Sequence, residues 1–218
     1  MTGTRGSLCR VGLVVLFIAV ASVPAFGQNI PGSVEITGVA GGYFGGQLYE
    51  NLHTTVDAGS AVEYGARLGY NLTEGVGIEG SWTYSNPNLE ATRILPDGLT
   101  GTIGTLKTNV YELDGLFSLG TDFASFYVVL GIGATSFEPQ ITAVTAKTST
   151  YLSGSAGIGG KMWLGKNFGL RAEGRWNWVS TGNTTNAGIW CDGFGVCYGY
   201  STKIYGYPDV TGGVTLRF

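Results

Sequence analysis

The sequence predicts an all-β protein, an eight-stranded antiparallel up-and-down transmembrane β-barrel. Three observations carry that expectation. Apolar and polar residues alternate with a period of two over eight separate stretches, the signature of a pleated strand whose successive side chains face opposite ways. Short and long connections between those stretches alternate strictly, as in spanning barrels with short periplasmic turns and long extracellular loops. Charges gather on one row of each stretch, while aliphatic and aromatic residues gather on the other.

The chain begins with an address label. Arg5 and Arg10 precede the apolar run Val11–Ala21, and Ala25-Phe26-Gly27 supplies small residues for cleavage. This layout predicts a signal peptide over residues 1–27, and residues 28–218 as the barrel domain. An uncleaved membrane helix is the competing reading, but the run is well short of the ~20 residues a span needs. Cys9 precedes the apolar run, whereas a lipoprotein's acylated cysteine follows it. After cleavage the chain carries 10 Lys+Arg against 15 Asp+Glu, a balance of −5. No basic patch points to nucleic acid.

Strands are expected near residues 34–45, 61–72, 76–85, 107–119, 124–137, 151–164, 168–179 and 205–218. Thr73-Glu74-Gly75, Gly120-Thr121-Asp122 and Gly165-Lys166-Asn167 read as tight antiparallel turns. Residues 46–60, 86–106, 138–150 and 180–204, rich in Thr, Asn and Gly, read as long loops. The stretch at 168–179 shows the two rows clearly. Phe168, Leu170, Ala172, Gly174, Trp176 and Trp178 alternate with Gly169, Arg171, Glu173, Arg175, Asn177 and Val179. In a soluble sandwich the apolar row would face a core and the charges water. In a membrane barrel the apolar row meets lipid and the charges fill the lumen.

Charge placement favours the membrane. With the apolar rows outward, Glu35, Glu63, Arg67, Glu79, Glu112, Asp114, Lys161, Arg171, Glu173, Arg175, Asp209 and Arg217 point inward: seven acids and five bases. Lys107 alone sits on the opposite row, expected at the loop end of its strand, where a long side chain can snorkel. A basic residue facing mid-membrane lipid would cost ~2–4 kcal/mol. Charges enclosed in a narrow barrel must pair, and nearly balanced signs allow it. Glu63, Glu79, Glu112 and Asp114 are the expected partners of Arg171 and Arg175. Trp82, Tyr84, Trp176 and Trp178 near the long loops, with Phe117, Phe123 and Phe168 near the short turns, read as two aromatic belts.

The last strand alternates Val214, Leu216 and Phe218, and the opening strand reads Val34-Glu-Ile-Thr-Gly-Val-Ala-Gly-Gly-Tyr43. On these motifs and the loop layout, residues 28–218 resemble the small bacterial outer-membrane β-barrel domain family, akin to OmpA and OmpX. The resemblance implies a place in the outer membrane among its lipids. It also implies handling by periplasmic chaperones and the barrel-assembly machinery, with Val214, Leu216 and Phe218 as the assembly signal. The chain stops at the last strand, so no peptidoglycan-binding domain of the OmpA type is expected.

The remaining chemistry-bearing residues are few. Five residues separate Cys191 and Cys197, and export to an oxidising compartment predicts a disulfide between them. A metal site would need further ligands, and the single histidine, His53, is remote in sequence. His53 stands among Thr54, Thr55, Asp57 and Ser60, the types a lipid-modifying hydrolase would use. A solvated loop histidine is the simpler reading, and no enzyme activity is expected. Gly154–Met162 superficially resembles a phosphate loop, but Ser155 stands where the motif needs Gly and Met162 where it needs Ser or Thr. No cofactor is expected. The function expected is a barrel with a polar, plugged lumen whose long loops serve envelope integrity, adhesion or binding of an extracellular ligand. Residues 180–204, with Trp190, Phe194, Tyr198 and Tyr200, are the best recognition surface. The alternative is an OmpW-like narrow channel for small solutes.

Overall fold

Period-two alternation becomes strand wherever a neighbouring segment can complete its hydrogen bonds. The computed structural model describes residues 29–51, 54–93, 100–121, 123–141, 148–180, 190–191, 197–198 and 204–218. They form β1 (Val34–Tyr43), β2 (Gln47–Asn51), β3 (Thr54–Ala58), β4 (Ala61–Asn71), β5 (Val76–Ser85), β6 (Asn88–Arg93), β7 (Thr100–Gly120), β8 (Ala124–Ile141), β9 (Ser149–Trp163), β10 (Phe168–Ser180), β11 (Trp190–Cys191), β12 (Cys197–Tyr198) and β13 (Ile204–Arg217).

Eight of these close a ring in the order β1-β4-β5-β7-β8-β9-β10-β13, every pair antiparallel. β13 returns to β1 in the register Glu35↔Arg217 through Tyr43↔Asp209. Two backbone bonds fasten the seam: Val34 N–H donates to Phe218 O at 3.1 Å, and Phe218 N–H to Val34 O at 2.9 Å. A closed ring leaves no unpaired edge in the hydrocarbon, which is the condition for strands to span a membrane.

Two of the four expected loops are corrected: much of each is strand. β2 continues the line of β1 after Phe44–Gly46, β3 that of β4 across Gly59-Ser60, and β6 that of β5 across Asn86-Pro87. β7 begins at Thr100 rather than Lys107, which therefore sits inside its strand and not at its end. The breaks are local. Pro87 lacks an N–H, but its carbonyl accepts from Leu106 N–H at 2.8 Å, while Asn88 O accepts from Gly59 N–H at 2.8 Å. The ladder therefore resumes beyond each interruption, and one side of the barrel rises above the ring. β8 likewise runs on to Ile141, and the β11–β12 pair lies within residues 180–204.

The two faces separate as alternation requires. Outward Phe126, Ile158, Leu113 and Trp176 are more than half exposed, facing the space that lipid occupies. All twelve inward charges are less than a tenth exposed. The inside of this protein is the lumen.

Candidate functional site

The inward rows stack in three tiers. Nearest the short turns, Lys161 Nζ on β9 meets Glu35 Oε2 on β1 at 2.5 Å. Asn71 Nδ2 donates to Glu35 Oε1 at 2.8 Å and to Ser33 Oγ at 2.9 Å. Arg217 lies over the Trp163 ring at 3.9 Å and donates to Lys166 O at 2.9 Å, so among the described residues its partners are an aromatic ring and a carbonyl rather than a carboxylate.

The middle tier is a network centred on β10. Period two places Arg171, Glu173 and Arg175 on one face, so Glu173 lies between two guanidiniums. Arg171 forms a fork on Glu79, with bonds of 2.6 and 3.0 Å, and reaches Glu173 at 2.7 Å. Arg67 on β4 reaches Glu173 at 2.5 Å and Glu79 at 3.7 Å. Arg175 contacts Glu173, Asp114 at 3.0 Å, Glu112 at 3.3 Å and Glu79 at 3.7 Å. Glycines opposite these groups provide the room: a Cβ on Gly131 would strike Asp114 Oδ1, and one on Gly159 the ring of Tyr127.

Tyr127, unmarked by the charge pattern, joins the network. Its hydroxyl donates to Glu173 Oε2 at 2.6 Å and accepts from Arg171 Nε at 2.6 Å. Ser155 donates to Glu112 Oε2 at 2.7 Å. An aromatic or a serine on a strand signals packing as readily as wiring, so only the fold assigns them. One expected partner is corrected: among the described residues no cation lies within 4 Å of Glu63. Asp209 is held instead by Asn177, at 2.5 Å. Among the described residues, Glu112 Oε1, Asp114 Oδ1 and Asp209 Oδ1 are buried with no hydrogen-bond partner.

The third tier corrects the expectation of a polar interior throughout. Toward the long connections the inward row is apolar. Tyr43, Tyr205, Tyr207, Phe137 and Val179 pack with Leu48, Val56, Ala58, Leu89 and Leu106 from the raised wall. The Tyr43 and Tyr207 rings lie 4.6 Å apart, and the Tyr43 and Tyr205 hydroxyls share a 2.5 Å hydrogen bond. The raised wall needs this filling, since its inner face would otherwise stand as bare hydrocarbon over the lumen. Lys107 pairs with Glu138 at 3.7 Å on the outside.

Val214 and Leu216 occupy the outward row of β13, and Phe218 follows directly after the strand's last residue, all three exposed. In the β11–β12 pair the backbone of Cys191 lies directly opposite Cys197. His53, Phe194, Tyr200 and the 1–27 segment lie outside the described residues. Gly154–Met162 is part of strand β9. Among the described residues, no three His, Cys, Asp or Glu side chains are arranged to hold a metal ion.

A closed antiparallel ring, a lipid-ready outer row and enclosed charges define an integral β-barrel of the bacterial outer membrane. The profile of the outer membrane protein beta-barrel domain matches residues 13–201, and the chain belongs to that family. No curated protein matches it by sequence. Solved structures resemble it in fold. OprG from Pseudomonas aeruginosa aligns with a TM-score of 0.61 at 14% identity, over 89% of this chain and 99% of that one. The N-terminal barrel of OprF from the same organism gives 0.52 at 20%, over 86% and 98%. Ail from Yersinia pestis gives 0.50 at 14%, over 87% and 100%.

Proposed function

We propose that this protein is a closed, non-enzymatic outer-membrane barrel that works at its outer surface, in envelope integrity, adhesion or capture of an extracellular ligand. The observation that carries this reading is the double filling of the lumen. A conducting path would have to cross both the ion-paired tier around Glu173 and the tyrosine tier around Tyr43 and Tyr205. Every arginine of the middle tier is shared between carboxylates, and withdrawing one would strand buried charge at a cost of ~3–5 kcal/mol. The raised wall of β2, β3, β6, β7 and β8 extends the structure beyond the ring and provides a firm platform for surface contacts. A disulfide between Cys191 and Cys197 would brace residues 180–204 as part of that surface.

Purified protein in planar lipid bilayers tests the closed reading against the channel reading. The expected record has no reproducible conductance step. A stable, repeatable open level in the unmodified protein would refute the closed barrel in favour of a narrow channel.

A further inference from the structure

On the membrane-facing side, between β4 and β8, large outward residues surround a patch of small ones. Ala66, Gly80 and Ala134 form the floor of an open apolar groove, and Trp82, Tyr111 and Leu113 form its walls, around a volume of about 660 Å³. The aromatic wall is held in place. Trp82 meets the Tyr64 ring edge-on at 6.5 Å, and its Nε1–H donates to Asn109 Oδ1 at 3.3 Å. A groove open to hydrocarbon at this depth can be filled only by hydrocarbon, because a polar occupant would lose its water without gaining partners.

The upper end of the groove selects the lipid. Along β7 the outward row climbs from Tyr111 through Asn109 to Lys107. Lys107 is the single cation on the outward face of the ring strands among the described residues. Tyr111 lies directly opposite Trp82 of the aromatic belt near the long connections, and the four residues of strand to Lys107 carry the row ~13 Å further toward the outer surface. Lys107 therefore stands where the headgroup of a lipid lying in the groove would begin. Glu138 holds its ammonium at 3.7 Å, which aims it while leaving donors for an anion. We propose that the groove seats an acyl chain of a phosphorylated outer-leaflet glycolipid, with Lys107 meeting the phosphate.

Native mass spectrometry of the full-length protein, delipidated in mild detergent and re-supplied with a defined lipid, tests this. The probes are lipid A, dephosphorylated lipid A and phosphatidylethanolamine. The unmodified protein is expected to retain lipid A in preference to both others. A Cβ at Gly80 meets nothing within 4 Å, so Gly80→Phe should fill the groove without moving the wall. Its retention of lipid A should fall roughly tenfold or more. Gly174→Phe, on the opposite wall, should leave retention unchanged. Lys107→Ala should abolish the preference for the phosphorylated form. If Gly80→Phe does not give a heat-modifiable barrel on gels, Gly80→Leu takes its place. Failure of the unmodified protein to retain lipid A, or equal retention after the groove is filled, overturns the site. Equal retention of all three lipids by the unmodified protein, or a phosphate preference that survives Lys107→Ala, overturns the headgroup assignment.

Discussion

Arg175 touches four carboxylates, those of Glu79, Glu112, Asp114 and Glu173, and is the side chain on which the middle tier most depends. Arg175→Met would leave those charges enclosed with fewer cations. It is expected to destabilise the barrel by ~3–5 kcal/mol, read from the urea midpoint of tryptophan fluorescence in micelles. An unchanged midpoint would show that water already compensates the acids. Glu63 should behave oppositely. In the middle tier and above it, six buried carboxylates, those of Glu63, Glu79, Glu112, Asp114, Glu173 and Asp209, stand against three buried guanidiniums, those of Arg67, Arg171 and Arg175, among the described residues. Glu63→Gln removes surplus negative charge while keeping the side chain's shape, and should raise the same midpoint by an equivalent of roughly 1 kcal/mol. The charged members of this tier were legible in the sequence because period two sorts charge by face. Their pairings were not, because strand tilt and stagger decide which residues meet across the lumen.

At the level of elements, the raised wall carries its own pH dependence. Asp57 on β3 lies directly opposite Glu90 on β6. Burial first, and the neighbouring Glu90 charge second, push the Asp57 carboxyl above its ordinary value. A raised folded-state pKa means that the folded wall binds the proton more tightly than the unfolded one does. The stabilisation is present at acid pH and is lost as pH rises through the raised value. Hydrogen exchange of β3 and β6 amides, corrected for intrinsic rate, should show more protection at mildly acidic than at neutral pH. Asp57→Asn should remove that difference and gain about 0.2–1 kcal/mol locally at neutral pH. The β11–β12 pair gives a second test. Two-stranded hairpins are marginal alone, and the facing backbone positions of Cys191 and Cys197 suit a covalent clasp. Exported protein should resist alkylation at both cysteines until reduced. Alkylation of both without reductant would remove the clasp from the account.

For the molecule as a whole, ring closure and assembly can be separated at Phe218. Its backbone completes the seam with Val34, while its side chain is 70% exposed on the lipid face. Phe218→Ala should therefore leave the unfolding midpoint of the purified barrel almost unchanged. If the ring is read by the assembly machinery, the same change should sharply reduce the heat-modifiable fraction in isolated outer membranes. A parallel loss of midpoint and yield would make Phe218 a structural residue instead.

Alternation, turn spacing and charge sorting were enough to determine the eight spanning strands, the face each row presents and the outer-membrane class, because all of them are local, period-two properties. Whether residues 46–60 and 86–106 are loops was not local. Gly59-Ser60 and Asn86-Pro87 interrupt the pattern, and only the neighbouring strands, by accepting and donating across those gaps, make β2, β3 and β6 a continuation of the wall. The tertiary structure alone decided that Tyr43, Tyr205 and Tyr207 pack together in one cluster, and that Ala66, Gly80 and Ala134 line one groove. Each set comes from strands far apart in the chain, brought together only when the sheet curls shut.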